Sequence, residues 1–222
     1  MSLNIKLAVS LYGFALVKQH APEFSTIDAV SCLGSVITLD GFSTIQVLRP
    51  RALFSAPPNT YSGNFGTADF PLHTDLAHWA LPPRYIALRC IKGENGVSTR
   101  LFDGNLMVED IGATLLRRIL VQPRRPLRNG KQLLRLLNFF DSYDTHTLRW
   151  DSIYLRPATA NSEIAHSTIL EYVTGIIPKE VVLLAQGDTL IIDNWRMLHG
   201  RSLVPAYAAD RHIDRVYMGE IH

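Results

Sequence analysis

Two short stretches carry the side chains best able to do chemistry together. Pro71-Leu72-His73-Thr74-Asp75 sets an imidazole and a carboxylate two positions apart, and residues i and i+2 of a β-strand point to one face. A single strand can therefore bring His73 and Asp75 to one ion. A third ligand has to come from elsewhere, and His199, within Asp193-Asn194-Trp195-Arg196-Met197-Leu198-His199-Gly200-Arg201, is the best candidate. Two histidines and a carboxylate on one face of an octahedral ion leave the other positions open, the ligand set of non-heme Fe(II) oxygen chemistry. Farther on, Asp210-Arg211-His212-Ile213-Asp214-Arg215 adds two guanidinium groups four residues apart, on one face of a strand. Such a fork binds a carboxylate through two parallel hydrogen bonds. A His-x-Asp pair by itself is usually a surface feature; the histidine and the arginine pair downstream give it weight.

Short strands must position these groups. Arg84–Ile91, Val97–Phe102 and the apolar Thr189–Asp193 read as strands, with a tight turn at Gly187-Asp188 and a last strand at Arg215–Met218. Strand, turn and strand place Asn194 to His199 near an open mouth. The expected fold is mainly β with flanking helices, a double-stranded β-helix (jelly roll, cupin-like), in one domain over residues 1–222. The helices are expected at residues 7–17, running through Gly13 into a strand at Phe14–Val17, and at 26–34, Asn105–Leu120 and Ser162–Tyr172. Ile37 to Leu48 reads as strand material turning at Asp40-Gly41. Residues 50–70 are rich in Pro, Gly, Asn and Ser, and a loop this long leading into His73 reads as a substrate lid, with Tyr61, Asn64 and Phe65 as its contacts.

At the chemistry-bearing residues the chain resembles the TauD/TfdA, clavaminate-synthase-like group of Fe(II)/2-oxoglutarate-dependent dioxygenases. The matching pieces are His73-Thr74-Asp75, Pro82-Pro83-Arg84-Tyr85, Gly96-Val97-Ser98-Thr99, Asp193-Asn194 to Arg201, and Arg211 to Tyr217, in that order. The resemblance implies Fe(II) held by His73, Asp75 and His199, with 2-oxoglutarate as cosubstrate and O2 as oxidant. It implies that the distal carboxylate of 2-oxoglutarate pairs with Arg211, assisted by Thr99, and that Arg215 sits near the substrate or the metal-bound carboxylate. It also places Arg149 or Arg156 facing the substrate. A carboxylate at position 75 points to hydroxylation or desaturation of a C–H bond, since related halogenases vacate that position for halide. The substrate implied is a small molecule, anionic or amino-acid-like.

Composition narrows the rest. The 222 residues are 47% apolar and 19% charged, which reads as globular. A formal charge of +2 provides no field that argues for nucleic acid. The basic run Arg117, Arg118, Arg124, Arg125, Arg128, Lys131, Arg135 lacks interleaved aromatics and reads as a solvated helix end and loop. Cys32 and Cys90 imply no disulfide framework, no segment reads as a membrane span or signal peptide, and a cytoplasmic protein is expected. His78 breaks the i, i+2 alignment with His73 and reads as a surface or structural histidine. Two other classes fit part of the pattern: a cupin-like metal- or ligand-binding protein without oxygenase activity, which would not need Arg211 or Thr99, and a zinc hydrolase on the same three ligands.

Overall fold

The computed structural model describes residues 4–125, 132–140 and 146–222. Two antiparallel sheets lie face to face and carry the site between them. The larger runs Phe14–Val17, Thr189–Asp193, Tyr85–Lys92, His212–Ile221, Gly34–Ile37, with Gln46–Leu48 also paired to His212–Ile221. The smaller runs Lys179–Val182, Ser98–Asp103, Met197–Arg201, Phe70–His73. Period-two alternation decides what each strand sends inward. Ile86, Leu88 and Cys90 of one strand and Ile213 and Tyr217 of the next meet Leu101, Val181 and Met197 of the facing sheet in one buried cluster. Their intervening neighbours Ala87, Val216 and Met218 point the other way, under the N-terminal helices. Each fully buried Ile or Leu contributes about 1.5–3 kcal/mol.

The N-terminal helix Ile5–Tyr12 is capped by the Asn4 side chain and stops at Gly13, whose φ of 77° is left-handed and where a Cβ would lie 2.2 Å from the Met197 sulfur. The following strand, Phe14–Val17, pairs with Thr189–Asp193 as expected from the pattern. The single helix expected over Asn105–Leu120 is two, Gly104–Ile111 and Ala113–Arg118, because Gly112 at φ 94° breaks the run. A longer helix, Ala160–Gly175, replaces the expected Ser162–Tyr172, entered at a Thr159 cap. These three helices and Trp150 cover the outer face of the smaller sheet through Leu72, Phe102 and Leu198.

The architecture is therefore mixed, with several antiparallel sheets and substantial helix, rather than mainly β. Residues 50–70 are not structureless: they hold a 3-10 turn at Leu53–Ser55 and a helix at Tyr61–Phe65 capped by Thr60. Of the basic run, Arg128 and Lys131 lie outside the described residues, while Arg117 stacks over Phe139 and Arg135 donates to the Arg117 carbonyl. No helix among the described residues is long and apolar enough to cross a membrane.

Candidate metal centre

His73 and His199 are direct cross-strand partners on the inner face of the smaller sheet, with ring centroids 4.6 Å apart. Asp75 does not share their strand. The strand ends at His73, and the carboxylate arrives by a turn, a correction to the i, i+2 expectation. Thr74 leaves the sheet because its N–H donates to the Trp150 carbonyl at 2.8 Å, and its hydroxyl accepts from the Trp150 N–H at 3.1 Å. The turn is then pinned from two sides. Fully buried Asn194 accepts from the Asp75 N–H at 2.7 Å and donates to the carbonyls of Asp75 at 3.0 Å and Pro83 at 2.9 Å. Arg149 donates to the carbonyls of Ala77, Trp79 and Ala80. Asn194→Ala would leave three buried backbone groups without partners, so we expect a loss of about 3 kcal/mol, read as a lower midpoint in denaturant unfolding.

The outcome is one oxygen, Asp75 Oδ1, 3.5 Å from Nε2 of His73 and 3.5 Å from Nε2 of His199. One ligand atom from each residue falls within 4.8 Å of the other two, and all three side chains are buried. The ring of His73 is oriented for this: its Nδ1–H donates to the Pro71 carbonyl at 2.8 Å, which leaves the Nε2 lone pair free. Burial pushes the His199 imidazole below its usual range, against the pull of Asp75, so it is neutral at neutral pH. Burial alone would raise the Asp75 carboxyl; Arg215 and the two histidines outweigh it and hold the group well below the usual carboxylate range. Two imidazoles and one carboxylate around a common point are a fitting donor set for a divalent transition metal.

A cavity of about 660 Å³ opens over this cluster. Arg211 and Thr99 line it, as do all three candidate ligands and Arg215. The Arg211 guanidinium donates to no described residue, its Nε is buried without a partner, and burial lowers its pKa to about 10, so it remains a cation at neutral pH. Thr99 lines the same cavity from the Ser98–Asp103 strand. Arg215 differs: its Nη1 donates to Asp75 Oδ2 at 2.7 Å, and Nε and Nη2 both donate to Gln46 Oε1.

Around the rest of the cavity, Tyr61 from the 50–70 segment stacks on His73 at 4.0 Å, and Arg201 holds that segment through the carbonyls of Gly66 and Ala68. Asn64 instead reaches Tyr154, and Phe65 packs on Phe70, so of the three expected contacts only Tyr61 lines the cavity. Arg149 and Arg156 do not line it either; the first is spent on the turn and the second is exposed. His78 is a cavity wall residue outside the ligand cluster.

Four residues were missed by the reading of the sequence. Asn194 and Tyr217 lie inside quoted motifs but drew no role. Gln46 and Asp151 carry no local signal; Asp151 sits in the cavity wall beside Tyr61 and Tyr154, its Oδ1 accepting from the Ile153 and Tyr154 N–H groups.

No family model matches the chain. It is 27% identical over 210 residues to an L-lysine 3-hydroxylase of Catenulispora acidiphila, a match that spans 84% of this chain and 56% of that protein. The chain thus spans about half the length of the curated relative it matches. Among solved structures it is similar to an asparagine oxygenase in complex with Fe(II), 2S,3S-3-hydroxyasparagine and succinate, with a TM-score of 0.67, 17% identity, and coverage of 93% of this chain and 74% of that one. It is also similar to the non-heme iron oxygenase OrfP in complex with Fe and alpha-ketoglutaric acid, with a TM-score of 0.66, 20% identity, and coverage of 96% and 76%. At these identities the likeness establishes the fold.

Proposed function

We propose that the chain is an Fe(II)- and 2-oxoglutarate-dependent dioxygenase that hydroxylates, or desaturates, a C–H bond of a small amino-acid-like substrate. The observation that carries this is one cavity lined by the buried His73–Asp75–His199 triangle, by Thr99 and by Arg211, whose Nε is buried with no partner among the described residues. The relatives' complexes with iron, alpha-ketoglutaric acid and hydroxylated asparagine agree with it. In this reading the two facing sheets are the halves of a double-stranded β-helix, the motif order is that of the TauD/TfdA group, and residues 50–70 are a substrate lid on a single domain.

Iron with 2-oxoglutarate supplies oxidative decarboxylation to succinate and the oxidant for C–H cleavage; the chain binds, orients and shields. His73, Asp75 and His199 would hold the metal through Nε2, Oδ1 and Nε2. Arg211 would take the distal carboxylate of 2-oxoglutarate with its free fork, and Thr99 would add a hydroxyl hydrogen bond. Arg215, braced on Asp75, borders the same cavity. Tyr61 roofs His73 and keeps bulk water from the centre. Asp151 is the cavity-wall carboxylate that can receive an ammonium group. Asp151→Ala should raise KM for the amino-acid substrate on the order of 10- to 100-fold while leaving the affinity for 2-oxoglutarate unchanged, both read from succinate release.

The deciding experiment is succinate release from 2-oxoglutarate by Fe(II)-loaded protein across a panel of amino acids, with the anaerobic visible charge-transfer band recorded in parallel. Binding-only and zinc-hydrolase readings predict neither succinate nor band, and that double absence would overturn the proposal.

A further inference from the structure

Asp75 has two carboxylate oxygens, and the protein treats them differently. Oδ1 faces the two histidine Nε2 atoms at 3.5 Å each. Oδ2 faces away and accepts two hydrogen bonds, from Arg215 Nη1 at 2.7 Å and from the Tyr217 hydroxyl at 3.1 Å. Arg215 and Tyr217 are i and i+2 on the His212–Ile221 strand, so both point inward. Arg215 cannot swing away, because Gln46, its register partner on the neighbouring strand, accepts from its Nε and Nη2. Tyr217 is 2% exposed and packed into the core between the sheets, so its hydroxyl has a fixed position as well.

The terminal torsion of an aspartate is broad and nearly two-fold, so an unrestrained carboxylate exchanges its oxygens or presents both to a cation. A single donor on Oδ2 leaves rotation about that bond open. Two donors, rigidly held and approaching from different side chains, make the oxygens inequivalent. We infer that Tyr217 is a positioning residue: with the Arg215–Gln46 pair it holds Oδ2 of Asp75, so that Oδ1 alone is offered to the metal and the remaining positions stay open for exogenous ligands. This inference rests on the metal centre proposed above. Tyr217 also lines the cavity; in this role it acts through Asp75.

The test uses Mn(II), whose binding is followed by the electron paramagnetic resonance signal of the free ion, and the visible spectrum of Co(II)-loaded protein, on wild type, Tyr217→Phe and His199→Ala. Tyr217→Phe removes one oxygen and keeps the ring in the core. The expected result is a Kd for Mn(II) raised about 10-fold, the lower end for loss of a group that orients a metal ligand, together with an altered Co(II) spectrum at an almost unchanged melting temperature of the metal-free protein. A Tyr217→Phe protein with wild-type Mn(II) affinity and a wild-type Co(II) spectrum overturns the inference while leaving the metal centre intact. Failure of the wild type itself to bind Mn(II) more tightly than His199→Ala overturns the centre and the inference with it. If Tyr217→Phe does not fold, Gln46→Ala, on a half-exposed edge strand, carries the test: it frees Arg215 and must weaken Mn(II) in the same direction, and unchanged affinity there is equally decisive against the bracket.

Discussion

His199→Ala should abolish the chemistry without dismantling the fold. The imidazole supplies one of three candidate ligand atoms within 4.8 Å of one another, and its removal would leave two. Loss of metal-supplied stabilisation of several kcal/mol corresponds to a fall in succinate formation of about a thousandfold or more. The fold should survive because His199 lies on the inner face of a strand held on both sides, by Ser98–Asp103 and by Phe70–His73. A second signature separates metal loss from unfolding. A ligand present at about 100 times its Kd stabilises the native state by roughly 2.7 kcal/mol, so wild type should gain thermal stability on adding Mn(II) and His199→Ala should not. A variant that keeps iron-dependent succinate release at the wild-type level would remove His199 from the centre.

Arg211→Met should move activity and stability in opposite directions. The Arg211 guanidinium is a buried cation that donates to no other described residue, so its desolvation is little compensated. Replacing it with an apolar side chain of similar length relieves that cost, so the melting temperature should hold or rise. If it takes the distal carboxylate of 2-oxoglutarate as proposed, the same guanidinium would be half of a buried ion pair, whose truncation costs about 2–5 kcal/mol. KM for 2-oxoglutarate should therefore rise on the order of 100- to 1,000-fold. Arg211→Lys keeps the charge but not the planar fork and should lose about tenfold. Unchanged 2-oxoglutarate dependence in Arg211→Met would assign the distal carboxylate to another cation in the cavity.

The sequence by itself determined which atoms are available and roughly how the strands present them. Histidines at 73 and 199 and arginines at 211 and 215 were legible as residue types in order along the chain, but Arg211 precedes the His212–Ile221 strand, whose register shifts between His212 and Ile213, so the two arginines do not share one strand face as expected. The Thr189–Asp193 strand was legible from its apolar run, whereas the helix expected to run through Gly13 stops at that glycine. Gly112 was legible in principle as a helix breaker, yet the apolar spacing on either side of it masked the break. Tertiary structure decided how these atoms meet. Asp75 reaches the site by a turn, held by a hydrogen-bond partner 119 residues away at Asn194. Arg149 looked like a substrate contact and is instead the brace of that turn, because three carbonyls converge on it. Arg215 was expected near the substrate or the metal-bound carboxylate, and its guanidinium donates to Asp75 and Gln46. Asp151 enters the cavity wall only because the Trp150 backbone pairs with Thr74. Such hydrogen bonds join segments far apart in the chain, and buried polar groups take whichever partner the packed sheets put within reach. Local periodicity carries no record of that choice.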